Sequence, residues 1–218
     1  MKTKHIAACA MLVAAFSAHA VAAVVTVVNP SFETLPSGGL PFTCGTGCAY
    51  SIGAIPGWNN SGSSGQFQPD PPAIVTYFST LSDGPTSAYT NGPTISQTVA
   101  DTVQQGVIYT LLVDLGARND LSFDGTADLL INGTRYVATG VAPTRGNWAT
   151  FTATYTGLAS DVGDSITIEL NATGAEGNFD NVRLSNSLAS PVPEPATLGL
   201  IGFSLVLLGA SARRRIAS

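Results

Sequence analysis

Histidine occurs only at His5 and His19, and lysine only at Lys2 and Lys4. The long central part of the chain therefore has neither residue. That excludes a Ser-His-Asp or Cys-His catalytic pair, a histidine-ligated zinc and histidine acid–base chemistry. A Gly-x-Ser-x-Gly nucleophile elbow and a phosphate-cradling Gly-x-x-x-x-Gly-Lys are also missing. Any enzyme built on this domain would have to run on carboxylates. Cysteine is equally sparse. Cys9 lies in the N-terminal apolar run, which leaves Cys44 and Cys48 in Cys-Gly-Thr-Gly-Cys. Gly45 and Gly47 let the chain fold back so that the two sulfurs meet, and an oxidising compartment favours the bond. The pair reads as a disulfide; two free thiols, or half of a metal site that no histidine or further cysteine completes, are the alternatives. So small a loop adds roughly 2 kcal/mol by the chain-entropy argument.

The chain ends carry the strongest signals. Lys2, Lys4 and His5 precede an apolar run from Ile6 to Phe16, and Ala18-His19-Ala20 follows as a small-x-small cleavage site. The run is too short for a membrane span, so residues 1–23 read as a secretory signal peptide that enters as a helix. At the other end, Val192-Pro193-Glu194-Pro195 precedes an apolar stretch, Ala196 to Ala212, and then Arg213-Arg214-Arg215. A helix over that stretch would be about 25 Å long, the short limit for a transmembrane helix, with the arginines kept cytoplasmic. Motif, apolar helix and basic end, in that order, resemble the PEP-CTERM sorting signal. The resemblance implies export in a Gram-negative bacterium that makes extracellular polysaccharide. It also implies processing by an exosortase, membrane anchoring through the C-terminal helix, and a final place in the envelope, at the cell surface or in the extracellular matrix. Three segments follow: signal peptide 1–23, a domain over 24–188 and a sorting segment over 189–218.

Without its ends the chain has a different charge. The domain keeps Arg118, Arg135, Arg145 and Arg183 against thirteen acids, a net charge of −9 where the whole chain has −5. Nucleic acid and acidic polymers are excluded as partners of a basic patch. Calcium and neutral sugars remain. Short alternating or apolar runs predict strands near 24–28, 73–78, 94–99, 107–115, 127–131, 135–139, 148–155, 165–170 and 181–185. Asn132-Gly133 between two of them predicts a type I′ hairpin. The stretch from Ser37 to Pro72, rich in glycine, serine and proline, reads as long surface loops around one or two short strands. The fold expected is all-β: a β-sandwich of about 8–9 strands.

Three ordered patterns sharpen that expectation: Asn29-Pro30-Ser31-Phe32-Glu33 with Pro56-Gly57-Trp58, then Trp148-Ala149-Thr150-Phe151, then Asn178-Phe179-Asp180-Asn181-Val182-Arg183-Leu184. Together they resemble the jelly rolls of carbohydrate-binding modules and galactose-binding-like domains. The resemblance implies a structural Ca2+ between the first and last strands, with Glu33 and Asp180 as ligands. It also implies polysaccharide as partner. Sugar faces pack on exposed rings, and Trp58 is the ring singled out, with Phe67, Tyr50 and Tyr89 as further candidates outside strand alternation. Trp148 is expected to pack the core with Phe151 and Tyr155. Asp120, Asp124 and Asp128, and Asp161 with Asp164, are the carboxylates a glycosidase would need, but acids before glycine in such runs form turns. The expectation is a non-catalytic surface or matrix protein, with a purely structural or adhesive module as the alternative and a glycosidase a distant third.

Overall fold

The computed structural model describes residues 22–69 and 76–189. The expected signal and C-terminal helices lie outside these residues. Among the described residues no helix is long and apolar enough to cross a membrane.

Among the described residues the domain has twelve strands: β1 (Ala23–Val25), β2 (Phe42–Gly45), β3 (Cys48–Tyr50), β4 (Ser64–Gln68), β5 (Ser87–Thr90), β6 (Ile95–Thr102), β7 (Val107–Ala117), β8 (Gly125–Ile131), β9 (Thr134–Val137), β10 (Asn147–Thr156), β11 (Ser165–Ala172) and β12 (Gly177–Leu188). They form two antiparallel sheets. The larger runs β10-β7-β12-β5-β4-β3-β2, with β1 on β12; the smaller runs β6-β11-β8-β9. Strict alternation builds the core between them. Tyr109, Leu111, Val113 and Leu115 of β7 point inward, as do Ala127, Leu129 and Ile131 of β8 and Ile166, Ile168 and Leu170 of β11. Period-2 burial of this kind is what a two-layer sandwich demands.

The Asn132-Gly133 turn has positive φ at both residues, 47° and 82°, as a type I′ hairpin requires. Eight of the nine expected strand regions are strands. The ninth, 73–78, lies outside the described residues at 73–75, and its described part, Thr76–Phe78, is loop. The stretch expected to hold one or two short strands holds three, β2 to β4, and β5 was not expected. β4 buries Ser64 and Gln66 as completely as Phe67, so it shows no apolar–polar alternation. Gly65 is required there by contact: a Cβ would lie 2.1 Å from the Ser51 carbonyl oxygen.

The opening Asn29–Glu33 segment is a clamp. Asn29 and Phe32 both take positive φ, 50° and 56°. The Asn29 side chain accepts from Thr34 N at 2.9 Å and donates to the Thr34 and Pro56 carbonyls at 3.1 Å each. Gln66 Nε2 donates to the Phe32 carbonyl. These bonds hold the fully buried Phe32 against Trp58, with ring centroids 5.3 Å apart.

Candidate ligand site

The outer face of the larger sheet carries a recess of about 380 Å³. Four rings line it. Tyr50 comes from β3, Phe67 from β4, Tyr89 from β5 and Tyr77 from the β4–β5 connection. Arg118, directly after β7, and Glu176, directly before β12, complete it with Ser63 and Asn91. The rings meet mostly edge to face: Tyr50 and Tyr89 at 6.4 Å and 78°, Phe67 and Tyr77 at 5.6 Å and 79°. The Arg118 guanidinium lies 4.5 Å from the Tyr77 ring centre and 5.4 Å from that of Phe67.

Arg118 is held on three sides. Its Nη1 donates to Glu176 at 2.6 Å, and its Nε and Nη2 donate to Asp120 at 2.9 and 2.7 Å. Arg118 and Glu176 are only 13% and 12% exposed. Burial works against the arginine's charge, but the bonds and charges of Asp120 and Glu176 outweigh it and raise its pKa. The Arg118 bond in turn lowers that of Asp120. Tyr89 is pushed up to about 12, first by burial and then by Glu176 and Tyr50. Its hydroxyl stays protonated and donates to the Ser51 carbonyl at 2.8 Å. Beneath, the buried Asn178 donates to Glu176 at 3.3 Å, and its Oδ1 has no hydrogen-bond partner among the described residues. The recess thus combines π faces, fixed N–H donors and carboxylate and amide acceptors.

Cys44 and Cys48 are joined in a disulfide that closes the β2–β3 hairpin, and Cys44 reaches the recess. Tyr77 Oη donates to the Cys44 carbonyl at 2.7 Å. Opening the disulfide with reductant is therefore expected to lower stability by about 2 kcal/mol. It should also loosen Tyr50 and Tyr77 together. Thermal unfolding and ligand retention, each with and without dithiothreitol, measure the two effects.

Of the rings singled out in the sequence, Tyr50, Phe67 and Tyr89 converge here. Trp58 does not. It is 6% exposed, packs in the core, and its Nε1 donates to the Asn29 carbonyl at 3.2 Å. The clamp at Asn29 and Phe32 holds this ring in the core instead. Trp148 is also differently placed. It stacks on Phe78 at 4.7 Å on the outer face of the larger sheet, away from Tyr155. Tyr77, Arg118 and Glu176 carry no motif; their only sequence signal is a position at a strand end or in a loop.

Glu33 and Asp180 are tied to one loop. Glu33 Oε1 accepts from Thr86 N at 2.8 Å, and Asp180 Oδ2 accepts from Asp83 N at 2.8 Å. A register shift in the β12–β7 pairing follows Asp180, and Asn181 there has φ 48°. Asp180 is 1% exposed, and its pKa is raised to about 8. Burial is the main cause; the Asp83 and Asn181 amides oppose it, and the charges of Asp83 and Glu33 add to it. No three His, Cys, Asp or Glu residues among those described form a metal-holding group. The remaining acids have local duties. Asp124 accepts from Thr173 N at 3.0 Å, and Asp128 accepts from Arg135 at 2.7 Å.

The domain is an all-β sandwich with a ring-lined recess on the outer face of its larger sheet. The chain belongs to the HpiC1-like family, described as HpiC1 cyclase, which it matches over residues 23–185. Residues 191–215 match the PEP-CTERM protein-sorting motif, so this is an exported protein sorted through an exosortase. An apo-form cyclase from Fischerella sp. is similar in structure, with a TM-score of 0.63 and 20% identity over 78% of this chain and 98% of that one. The CBM22-1 xylan-binding domain of Paenibacillus barcinonensis Xyn10C aligns with a TM-score of 0.43 and 15% identity, over 82% of this chain and 100% of that one. No curated protein sequence matches the chain.

Proposed function

We propose that the exported domain is a non-catalytic binder of neutral polysaccharide, held at the envelope by its C-terminal segment before reaching the surface or matrix. The observation that carries this reading is the convergence of Tyr50, Phe67, Tyr77 and Tyr89 with the Arg118–Glu176 pair in one recess. Sugar rings offer C–H faces to aromatic rings and hydroxyls to fixed polar groups. The net charge of −9 disfavours acidic polymers. The exported protein is expected to be retarded in gels containing a neutral polysaccharide such as xylan, galactan or galactomannan. Tyr50→Ala should weaken that retardation strongly. Equal retardation of the variant sinks the reading of this recess.

A calcium ion belongs to the same proposal, with Glu33 and Asp180 as its carboxylate ligands and Asp83 beside them. Support comes from a buried carboxylate that no arginine contacts and whose charge burial disfavours. Hard oxygen donors of this kind suit calcium. The ion would hold the first and last segments of the domain together.

A second reading, catalysis, is favoured by the family's description as a cyclase. In that reading the Glu176 carboxylate, held by Arg118 at the recess, is the side chain that would act on a bound ligand. Chemical conversion of a bound ligand, lost in Glu176→Gln while binding persists, would establish it over the first.

A further inference from the structure

A strap of residues 77–82 crosses the outer face of the larger sheet. Ser79 N and Thr80 N donate to the Gly146 carbonyl at 2.8 and 3.3 Å, and Ser82 Oγ donates to Asp114 Oδ2 at 2.9 Å. Tyr77, at its start, lines the recess described above. Thr80, Leu81 and Ser82, at its end, line a second recess of about 260 Å³ with Asn147, Trp148 and Thr150. The two recesses share no lining residue. One spans β3 to β5; the other lies over β7 and β10.

The second recess is built around a fixed ring. Trp148 stacks on Phe78 at an interplanar angle of 23°, and its Nε1 donates to the Thr80 carbonyl at 3.1 Å. Gly116 makes room for this pair, because a Cβ there would lie 2.8 Å from Trp148 and 2.9 Å from Phe78. The indole is half-buried. Thr150 lies directly across from Asp114 in the β10–β7 register, and its hydroxyl donates to Asp114 Oδ1 at 2.6 Å. That bond leaves the Thr150 oxygen free to accept. Asp114 also receives Asn181 Nδ2 at 2.9 Å and Arg183 Nη2 at 3.0 Å. Its charge is therefore already answered, and the recess has no unpaired charge to offer an ion.

One immobilised indole and the acceptor oxygens of Thr150, Ser82 and the Asn147 amide, whose Nδ2 is already given to Thr144 and Arg145, suit a single neutral sugar ring that donates from its hydroxyls. We infer that this is a second, independent carbohydrate site, so that one domain holds two polysaccharide segments and cross-links neutral chains. This rests on the sugar-binding reading of the first recess. Rings held in place before binding lose little freedom on contact, and two sites on one body raise retention on a polymer far beyond either alone.

The test is calorimetry on the exported protein, with oligosaccharides cut from whichever of xylan, galactan or galactomannan retards it, and light scattering of the intact polymer. Two sites per chain are expected. Trp148→Ala should leave one, and so should Leu81→Arg, which fills the recess from the exposed strap without removing a packed ring. Each should abolish the rise in scattering that cross-linking causes. A single site in the parent protein overturns the inference, whichever variant removes it. If Tyr50→Ala is that variant, the first recess stands alone. No binding to any of the three polymers overturns both readings.

Discussion

Arg118→Ala is expected to lower stability by about 3–5 kcal/mol and to weaken polysaccharide retention strongly. Removing the guanidinium leaves Glu176, 12% exposed, with the Asn178 amide as its partner among the described residues. It also uncovers the faces of Tyr77 and Phe67, a further loss of about 1 kcal/mol. Arg118→Lys should be intermediate for stability and poor for binding, since an ammonium cannot address two carboxylates through a planar fork. Replacing both Arg118 and Glu176 with methionine should recover much of the stability, because no buried charge is left unpaired, but none of the binding at this recess. Urea unfolding and gel retardation on the same four proteins separate the two effects. An Arg118→Ala protein that unfolds with the parent's midpoint would show that the pair does not support the domain.

Without divalent cations, stability should fall as pH rises from about 4 to about 8. The folded pKa of Asp180, about 8, lies above its ordinary value of 3.8. The native state therefore keeps a proton that the unfolded chain has released. The stabilising contribution is complete below the unfolded value and is lost as pH climbs through the folded one, with a slope of at most about 1.4 kcal/mol per pH unit. Asp180→Asn should flatten this dependence, at the cost of one of the two backbone amides the carboxylate accepts. In the calcium proposal, saturating Ca2+ flattens it too, because the ion favours the charged form. EDTA should then lower the parent's melting temperature at pH 8 and leave Asp180→Asn unchanged. Indifference of the parent to EDTA at that pH removes calcium from the account.

Much of the fold was legible because its signals are local. Alternation in β7, β8, β10 and β11, the Asn132-Gly133 hairpin and the closing Asn178–Leu184 strand each follow from neighbours within a few residues. The 37–72 stretch is legible only coarsely, as one or two short strands where β2 to β4 form, and β5 carries no strand signal; β4 and β5 take their burial from distant segments rather than from their own pattern. Ser64, Gln66 and Ser87 are buried because other segments cover them. Trp58 shows the converse error. Its loop, between glycine and asparagines, reads as surface, yet the clamp at Asn29 and Phe32 folds it into the core.

The sequence by itself determined the destination: the PEP-CTERM segment is a contiguous signal that needs no folded context to be read. It also determined the domain's lack of histidine and lysine and its acidic balance, since composition survives any folding. Only the tertiary structure decided where a ligand would sit. The recess takes its rings from positions 50, 67, 77 and 89 and its ion pair from 118 and 176. The strand order β7-β12-β5-β4-β3 brings them side by side. That order follows from burial and pairing across the whole domain, and no spacing along the chain encodes it.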